Sequence, residues 1–248
     1  MVVRDSMRRV PPPSKWSQFM EAGLSVLMLV ATVLLIIMAS RNLTSAPPSS
    51  ASPRPATLPA EPVSIEGAAT KGAPGARIVL IVYSDFECPF CARFARDVLP
   101  TIERDFVDTG RVRIAFRHLP LEAIHSNAVS AAEAVECAAV QGKFWPMHDL
   151  LFTDPKNLST NGYVRYANDL GLRTEAFASC LTGEVRAKVM TDLESARALN
   201  LRTTPTLHIG QVEPSGLVRV VEQVAGLPGT EALGRMLDLA PTAAGSPR

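Results

Sequence analysis

With 248 residues and a net charge of +1, the chain can hold one good-sized domain with additions. It lacks the basic excess of a nucleic-acid binder. No period of solenoid or propeller length is visible, which excludes those architectures. The four cysteines, Cys88, Cys91, Cys137 and Cys180, form an even set. Whether they pair depends on the compartment in which the chain works.

The N-terminal segment addresses the compartment. Ala22–Ser40, "AGLSVLMLVATVLLIIMAS", is apolar and uncharged. As a helix it rises roughly 28 Å, close to the hydrocarbon thickness of a bilayer. Arg4, Arg8, Arg9 and Lys15 precede it, and only Arg41 comes closely after it. That asymmetry places residues 1–21 in the cytoplasm and exports the chain beyond Arg41. We expect an uncleaved signal-anchor at 22–40. "MAS" and "TSA" are weak sites for the alternative, a cleaved signal peptide, and either reading exports the domain. Residues 42–62, rich in Pro, Ala and Ser, read as a stiff extended tether. Residues 63–240 read as the exported domain, and 241–248 as a disordered tail.

Within the domain, Val63–Glu66 is a candidate first strand. Arg77–Asp85, "RIVLIVYSD", reads as a buried central strand. A helix then opens at the cysteine pair and runs to about Phe106, with Pro89 suited to its first position. Arg111–Leu119 alternates like a second strand, completing a βαβ unit with a right-handed crossover. A block of helices comes next: an alanine-rich one ending at Gly142, a short aromatic one, one starting after Ser159 or Thr160, and one with Thr174 as N-cap and Gly183 as stop. A long amphipathic helix from Glu184 leads to two strands, "TPTLHIG" and "GLVRVVEQV", and a closing helix. The order predicts an α/β domain with helices on a small sheet.

The stretch "DFECPFCARF" carries the chemistry. A zinc site needs four ligands as a rule. There is no second CxxC, and His118, His125, His148 and His208 are scattered as strand-end or helix-surface residues, so no metal is expected. A structural bridge across two residues would constrain the unfolded chain little. The reactive reading has a mechanism. Unpaired N–H groups and the dipole at a helix start favour a thiolate on Cys88, and Cys91, one turn on, can resolve a mixed disulfide. Glu87 opposes that thiolate, and Arg93 and Arg96 can favour it. Asp85 and Glu87 are candidates for relaying a proton to Cys91; strand-end turn residues are the equal alternative.

CPFC after a strand, the "FRHLPL" strand, the "AAEAVECAAVQGKFWPMHDLLF" block and the "TTPTLHIG" loop together resemble the DsbA-like branch of the thioredoxin superfamily. The resemblance covers about Val63–Leu239. It implies a thioredoxin fold with a helical insert at about 121–185. It implies that Pro205 is cis and packs against the CxxC, and that Pro89, Phe90, Thr204 and Pro205 shape a groove for an extended substrate peptide. Cys88 would be the nucleophile and Cys91 the resolving thiol, the pair itself serving as the redox group with no further cofactor. In an exported domain Cys137 and Cys180 are expected to pair. Some relatives carry a second, structural bridge there, and a second redox pair is the alternative. Phe90 stands where a histidine would further lower the Cys88 pKa, so a milder oxidant than a CPHC protein is expected.

The resulting expectation is a membrane-anchored, extracytoplasmic (periplasmic) thiol–disulfide oxidoreductase that oxidises newly exported, unfolded proteins. The resemblance implies a DsbB- or VKOR-like membrane partner as its reoxidant. The rivals are an anchored reductase of the cytochrome c maturation type, an isomerase, and a non-catalytic peptide-binding module.

Overall fold

The computed structural model describes residues 28–38 and 58–240. The expected cytoplasmic N-terminus, the ends of the apolar run 22–40, most of the tether and the tail lie outside the described residues. Residues 28–38 form helix α1, which exposes apolar side chains around its whole circumference, Met28, Leu29, Val33, Leu34 and Ile36 among them. Among the described residues no helix is long and apolar enough to cross a membrane.

The domain is built on a five-stranded sheet of order β1-β3-β2-β4-β5. β2, Ile78–Ser84, is buried along its full length. β3, Val112–His118, runs parallel to it on one side, and β4, Thr206–Val212, antiparallel on the other. β5, Val218–Ala225, and β1, Ala69–Lys71, form the edges. The expected strand at Val63–Glu66 is reduced to a single bridge from Val63 to Val218. The strand beside β3 comes later, in the short polar stretch Ala69–Lys71, which has no apolar alternation to announce it. The end of the expected tether, Leu58–Pro62, lies against the domain, with the Ala60 carbonyl accepting from Arg219.

The helical run after β2 is not uniform. α2, Pro89–Arg93, passes into a π-helical segment, Phe94–Val98, then α3, Leu99–Ile102, and a second π segment, Glu103–Val107. Ile78, Leu80 and Val82 of β2 pack on this run and on α9, Thr230–Leu239. Val79, Ile81 and Tyr83 face the opposite side, toward α8, Arg186–Ala198. The period of two thus gives both faces of the central strand a core. α8 buries Val189, Asp192, Leu193 and Ala196, one stripe at helical spacing. Asp192 is tolerated there because it accepts from Arg117 Nη1 at 2.6 Å and from the His118 N–H at 3.1 Å. Gly210 lies beside a register shift between β4 and β5. A Cβ at this position would stand 2.5 Å from Val218 Cγ1 and 2.7 Å from the Arg219 carbonyl oxygen.

Between β3 and α8 lies the insert: α4, Ala128–Ala139; α5, Phe144–Thr153; α6, Thr160–Asp169; and α7, Thr174–Cys180. Ser159 caps α6 through the Gly162 N–H. α7 starts one residue earlier than expected, with Arg173 rather than Thr174 as its N-cap. Cys137 of α4 and Cys180 of α7 are disulfide-bonded, both buried.

The bridge closes a long loop, which in the chain-entropy account stabilises by about 4 kcal/mol. Replacing both Cys137 and Cys180 by Ala is therefore expected to lower the unfolding free energy by roughly that amount in urea titrations. An unchanged midpoint would show that α4 and α7 hold together without the bridge.

Candidate active site

The last residue of β2, Ser84, leads through Asp85 and Phe86 into the cysteine pair. Cys88 is the N-cap of α2, in extended backbone conformation, and Pro89 follows at the first helical turn. Proline suits this place because an N–H there would have no helical partner. Pro89 is exposed and Phe90 is 53% exposed, so both present surface to the outside. Cys88 retains 5% exposure and Cys91 none.

The other side of the site comes from the loop before β4. The Thr204–Pro205 peptide bond is cis, and the Thr204 carbonyl oxygen lies 3.4 Å from Cys88 Sγ, which donates to it in the thiol form. The buried Thr204 hydroxyl has no fixed partner among the described residues and can turn toward the sulfur. The loop and the helix start, distant in sequence, thus meet at one sulfur. Cys88, Pro89, Phe90, Thr204 and Pro205 all lie in these two segments.

The two thiols are driven apart electrostatically. Cys88 is lowered from 9.0 to about 5. The largest cause is the hydrogen bond from the Cys91 thiol. Burial opposes it; Thr204 and the backbone N–H groups of Cys91 and Phe90 add to it. Cys91 is held well above the ordinary thiol range by burial first, and then by the neighbouring Cys88 sulfur. The Ser84 hydroxyl and the Asp85 backbone partly offset this. One sulfur is a thiolate at neutral pH and the other a protonated thiol.

Asp85 and Glu87 have other commitments. Asp85, fully buried, accepts from the Glu87 N–H, the Leu121 N–H and His125 Nδ1, each at 2.8 Å. Glu87 accepts from the Asn127 N–H at 2.6 Å and from Asn127 Nδ2 at 3.1 Å, at the start of α4. Both carboxylates fasten the turn before the CPFC to the β3–α4 connection. Apart from the Glu87 N–H, the donors to these carboxylates belong to that connection. His125 and Asn127 carry no mark in the sequence, because nothing local indicates what they reach.

Of the four histidines, His118 and His148 pack on the same rings, Phe86, Phe116 and Phe144. His118 ends β3 and meets Glu136 at 2.8 Å, and His125 meets Asp85. His208 is fully buried within β4 rather than at a strand end. His148 is not a helix-surface residue: it is 2% exposed, among Phe86, Phe116, Trp145 and Phe152. The aromatic richness of "KFWPMHDLLF" is the available signal. Among the described residues no group of three or more His, Cys, Asp and Glu side chains is arranged to hold a metal ion.

A family model described as thioredoxin matches residues 65–222. The fold is similar to that of BdbD from Bacillus subtilis, with a TM-score of 0.64 and 21% identity over 75% of this chain and 97% of that one. It is also similar to alpha-DsbA1 from Wolbachia pipientis, with a TM-score of 0.61 and 23% identity over 71% and 92%. Among curated proteins, the chain is 36% identical over 174 residues to the Na(+)/H(+) antiporter NhaA 1 of Mycolicibacterium gilvum. That alignment covers 66% of this chain and 28% of the relative, so the chain spans little more than a quarter of that protein.

In the reduced chain the Cys88 thiolate, followed by its ultraviolet absorbance, is expected to half-titrate near pH 5. Cys91→Ala removes the main donor and should raise that midpoint, whereas Cys91→Ser, which keeps a donor, should raise it less. Because the folded pKa lies below the ordinary 9.0, Cys88 stabilises the reduced fold most above pH 9, and this contribution falls away between pH 9 and pH 5. Cys91, shifted upward, acts in the opposite sense and only above pH 9.

Proposed function

The chain belongs to this thioredoxin family, and on that premise we propose that it is a DsbA-like extracytoplasmic protein-disulfide oxidoreductase that introduces disulfides into exported proteins. The observation that carries the reading is the pair itself: a stabilised Cys88 thiolate at a helix start, under a cis Thr204–Pro205 loop, with Cys91 buried one turn behind. Stabilising the thiolate stabilises the reduced form, so the Cys88–Cys91 disulfide tends to accept electrons. That favours oxidation of substrates over their reduction.

The catalytic cycle follows from the positions. A substrate thiolate attacks Cys88, the sulfur nearer the surface, and Cys91 leaves. A second substrate thiol then releases the oxidised substrate, and the pair is left reduced. Pro89 and Phe90 on one side and Thr204 and Pro205 on the other form the walls along which an extended substrate segment would lie. The redox group is the cysteine pair, with no further cofactor. Asp85 and Glu87 act in this reading by holding the CPFC turn. A quinone-linked membrane protein of the DsbB or VKOR kind would return the pair to its disulfide.

The location rests on residues 22–40. The helix at 28–38 is apolar on every side, a surface that water does not favour and lipid does. With the basic residues before it, this supports a single-pass anchor with the N-terminus in the cytoplasm and the domain outside.

The test is the potential of the Cys88–Cys91 pair in the full-length chain, equilibrated in glutathione buffers and followed by thiol labelling. A value above the cytosolic glutathione poise of about −220 to −260 mV is expected. A value as low as thioredoxin's, about −270 mV, would instead assign an anchored reductase. Cys88→Ser should abolish exchange. Full retention of biological function by that variant would identify a peptide-binding module.

A further inference from the structure

Thiol exchange at a buried sulfur requires a route for a proton. Cys91 has no exposure, and it must lose a proton when it attacks and gain one when it leaves. Asp85 and Glu87 are bound to the β3–α4 connection. Another candidate for that proton lies on the Cys91 side of the site.

Behind Cys91 is a cavity of about 10 Å³, walled by Phe94, Phe116 and Phe152 and reached by three polar or ionisable side chains: Ser84, Cys91 and His148. A space of that size can hold roughly one water molecule, provided polar groups line it. Ser84 contacts the Cys91 thiol. On the far side, His148 Nδ1 lies 2.8 Å from Asp149 Oδ1. A carboxylate only accepts, so this contact fixes the proton on Nδ1 and leaves Nε2 as the basic nitrogen. Asp149 is 65% exposed, so the chain of groups begins at a buried thiol and ends in solvent.

We propose that His148, held in tautomer by Asp149 and linked to Cys91 through Ser84 and the cavity, is the proton acceptor and donor for the resolving thiol. The proposal rests on the reading of the CPFC pair as an exchanging dithiol. When Cys91 resolves a mixed disulfide, its proton passes to His148 Nε2. The Cys91 thiolate attacks Cys88 Sγ, the bond from Cys88 to the bound sulfur breaks, and that sulfur leaves with the electron pair. When the Cys88–Cys91 disulfide oxidises a substrate, Cys91 leaves as the thiolate and receives its proton by the same route. His148 is a positioning residue in this scheme, since it acts on Cys91 through intervening groups.

The electrostatic setting suits a base that is neutral at rest. Burial lowers the basicity of His148, and Asp149 pulls the other way. Lys71 of β1 and Glu103 of the π segment also act on it, and they are ion-paired with each other at 2.7 Å, so their effects oppose. Around the ring lie Phe86, Phe116, Phe144, Trp145 and Phe152, and His118, bonded to Glu136, packs on three of these rings.

The reaction of the reduced full-length chain with the aromatic disulfide 5,5′-dithiobis(2-nitrobenzoate) separates the steps. Cys88 attacks the reagent and releases one thionitrobenzoate; Cys91 then displaces the second. His148→Phe, which preserves an aromatic shape, should leave the first release unchanged and slow the second at least tenfold at pH 7, on the order expected for loss of an acid–base group. The pH profile of the second release should also move upward, toward dependence on hydroxide. Asp149→Asn, at an exposed position, should shift the same phase in the same direction by less. A second release whose rate and pH profile match the unsubstituted chain in both variants would overturn the proposal. If His148→Phe does not fold, Asp149→Asn decides alone. If the unsubstituted chain releases no second thionitrobenzoate, the exchange reading of the CPFC pair falls and the proposal falls with it, an outcome distinct from unaltered variants.

Discussion

Two sulfurs one helical turn apart must be held in opposite protonation states, and most of the domain is arranged around that requirement. The thiolate form of Cys88 needs donors. They come from the N–H groups that a helix start leaves unpaired and from the Cys91 thiol beneath it. Cys91 can supply a proton to that hydrogen bond only while it remains a thiol, and burial ensures this. Each sulfur's state therefore depends on the other's, and both depend on β2 delivering the turn to one place. A fully buried central strand, flanked by β3 and β4, supplies that rigidity.

The insert completes the site in a way its sequence distance conceals. Asp85 and Glu87, flanking the approach to Cys88, reach 36 to 40 residues along the chain to Leu121, His125 and Asn127. Each accepts at least one backbone N–H of the connection into α4, which ties the insert to the turn before the cysteines. A buried carboxylate held by three donors is a strong tie.

The sequence makes the centre of this arrangement readable and leaves its periphery obscure, for physical reasons. CPFC after a β-branched run, and Thr-Pro opening a later strand, are local patterns whose chemistry is contained in a few residues. The long helices are legible because apolar spacing and glycine stops are local too. β1 is not legible, because Ala69–Lys71 is an edge strand of three residues with no alternating pattern. The π segments at Phe94–Val98 and Glu103–Val107 carry no distinguishing composition. His148 reads as a helix-surface residue because a single histidine on a helix gives no sign of what packs on it. Its burial is created by Phe86 and Phe116, which belong to other elements.

The two pairs of cysteines divide along the same lines. Cys137 and Cys180 are buried within the insert, away from any helix start, and the bridge joins α4 to α7. Cys88 and Cys91 are joined by too short a loop for a bridge to stabilise the fold much, so their bond can open and close without disturbing it. The first bridge thereby supports the second pair. α4 and α5 pack on the Cys91 side of the site, and α4 is joined to α7 by the disulfide. The bridged insert thus lies against the end of the domain that carries the CPFC pair. The proton route argued for His148 depends on this cover, since α5 carries both His148 and Asp149, and a loosened insert would admit water to Cys91 and make a dedicated relay unnecessary.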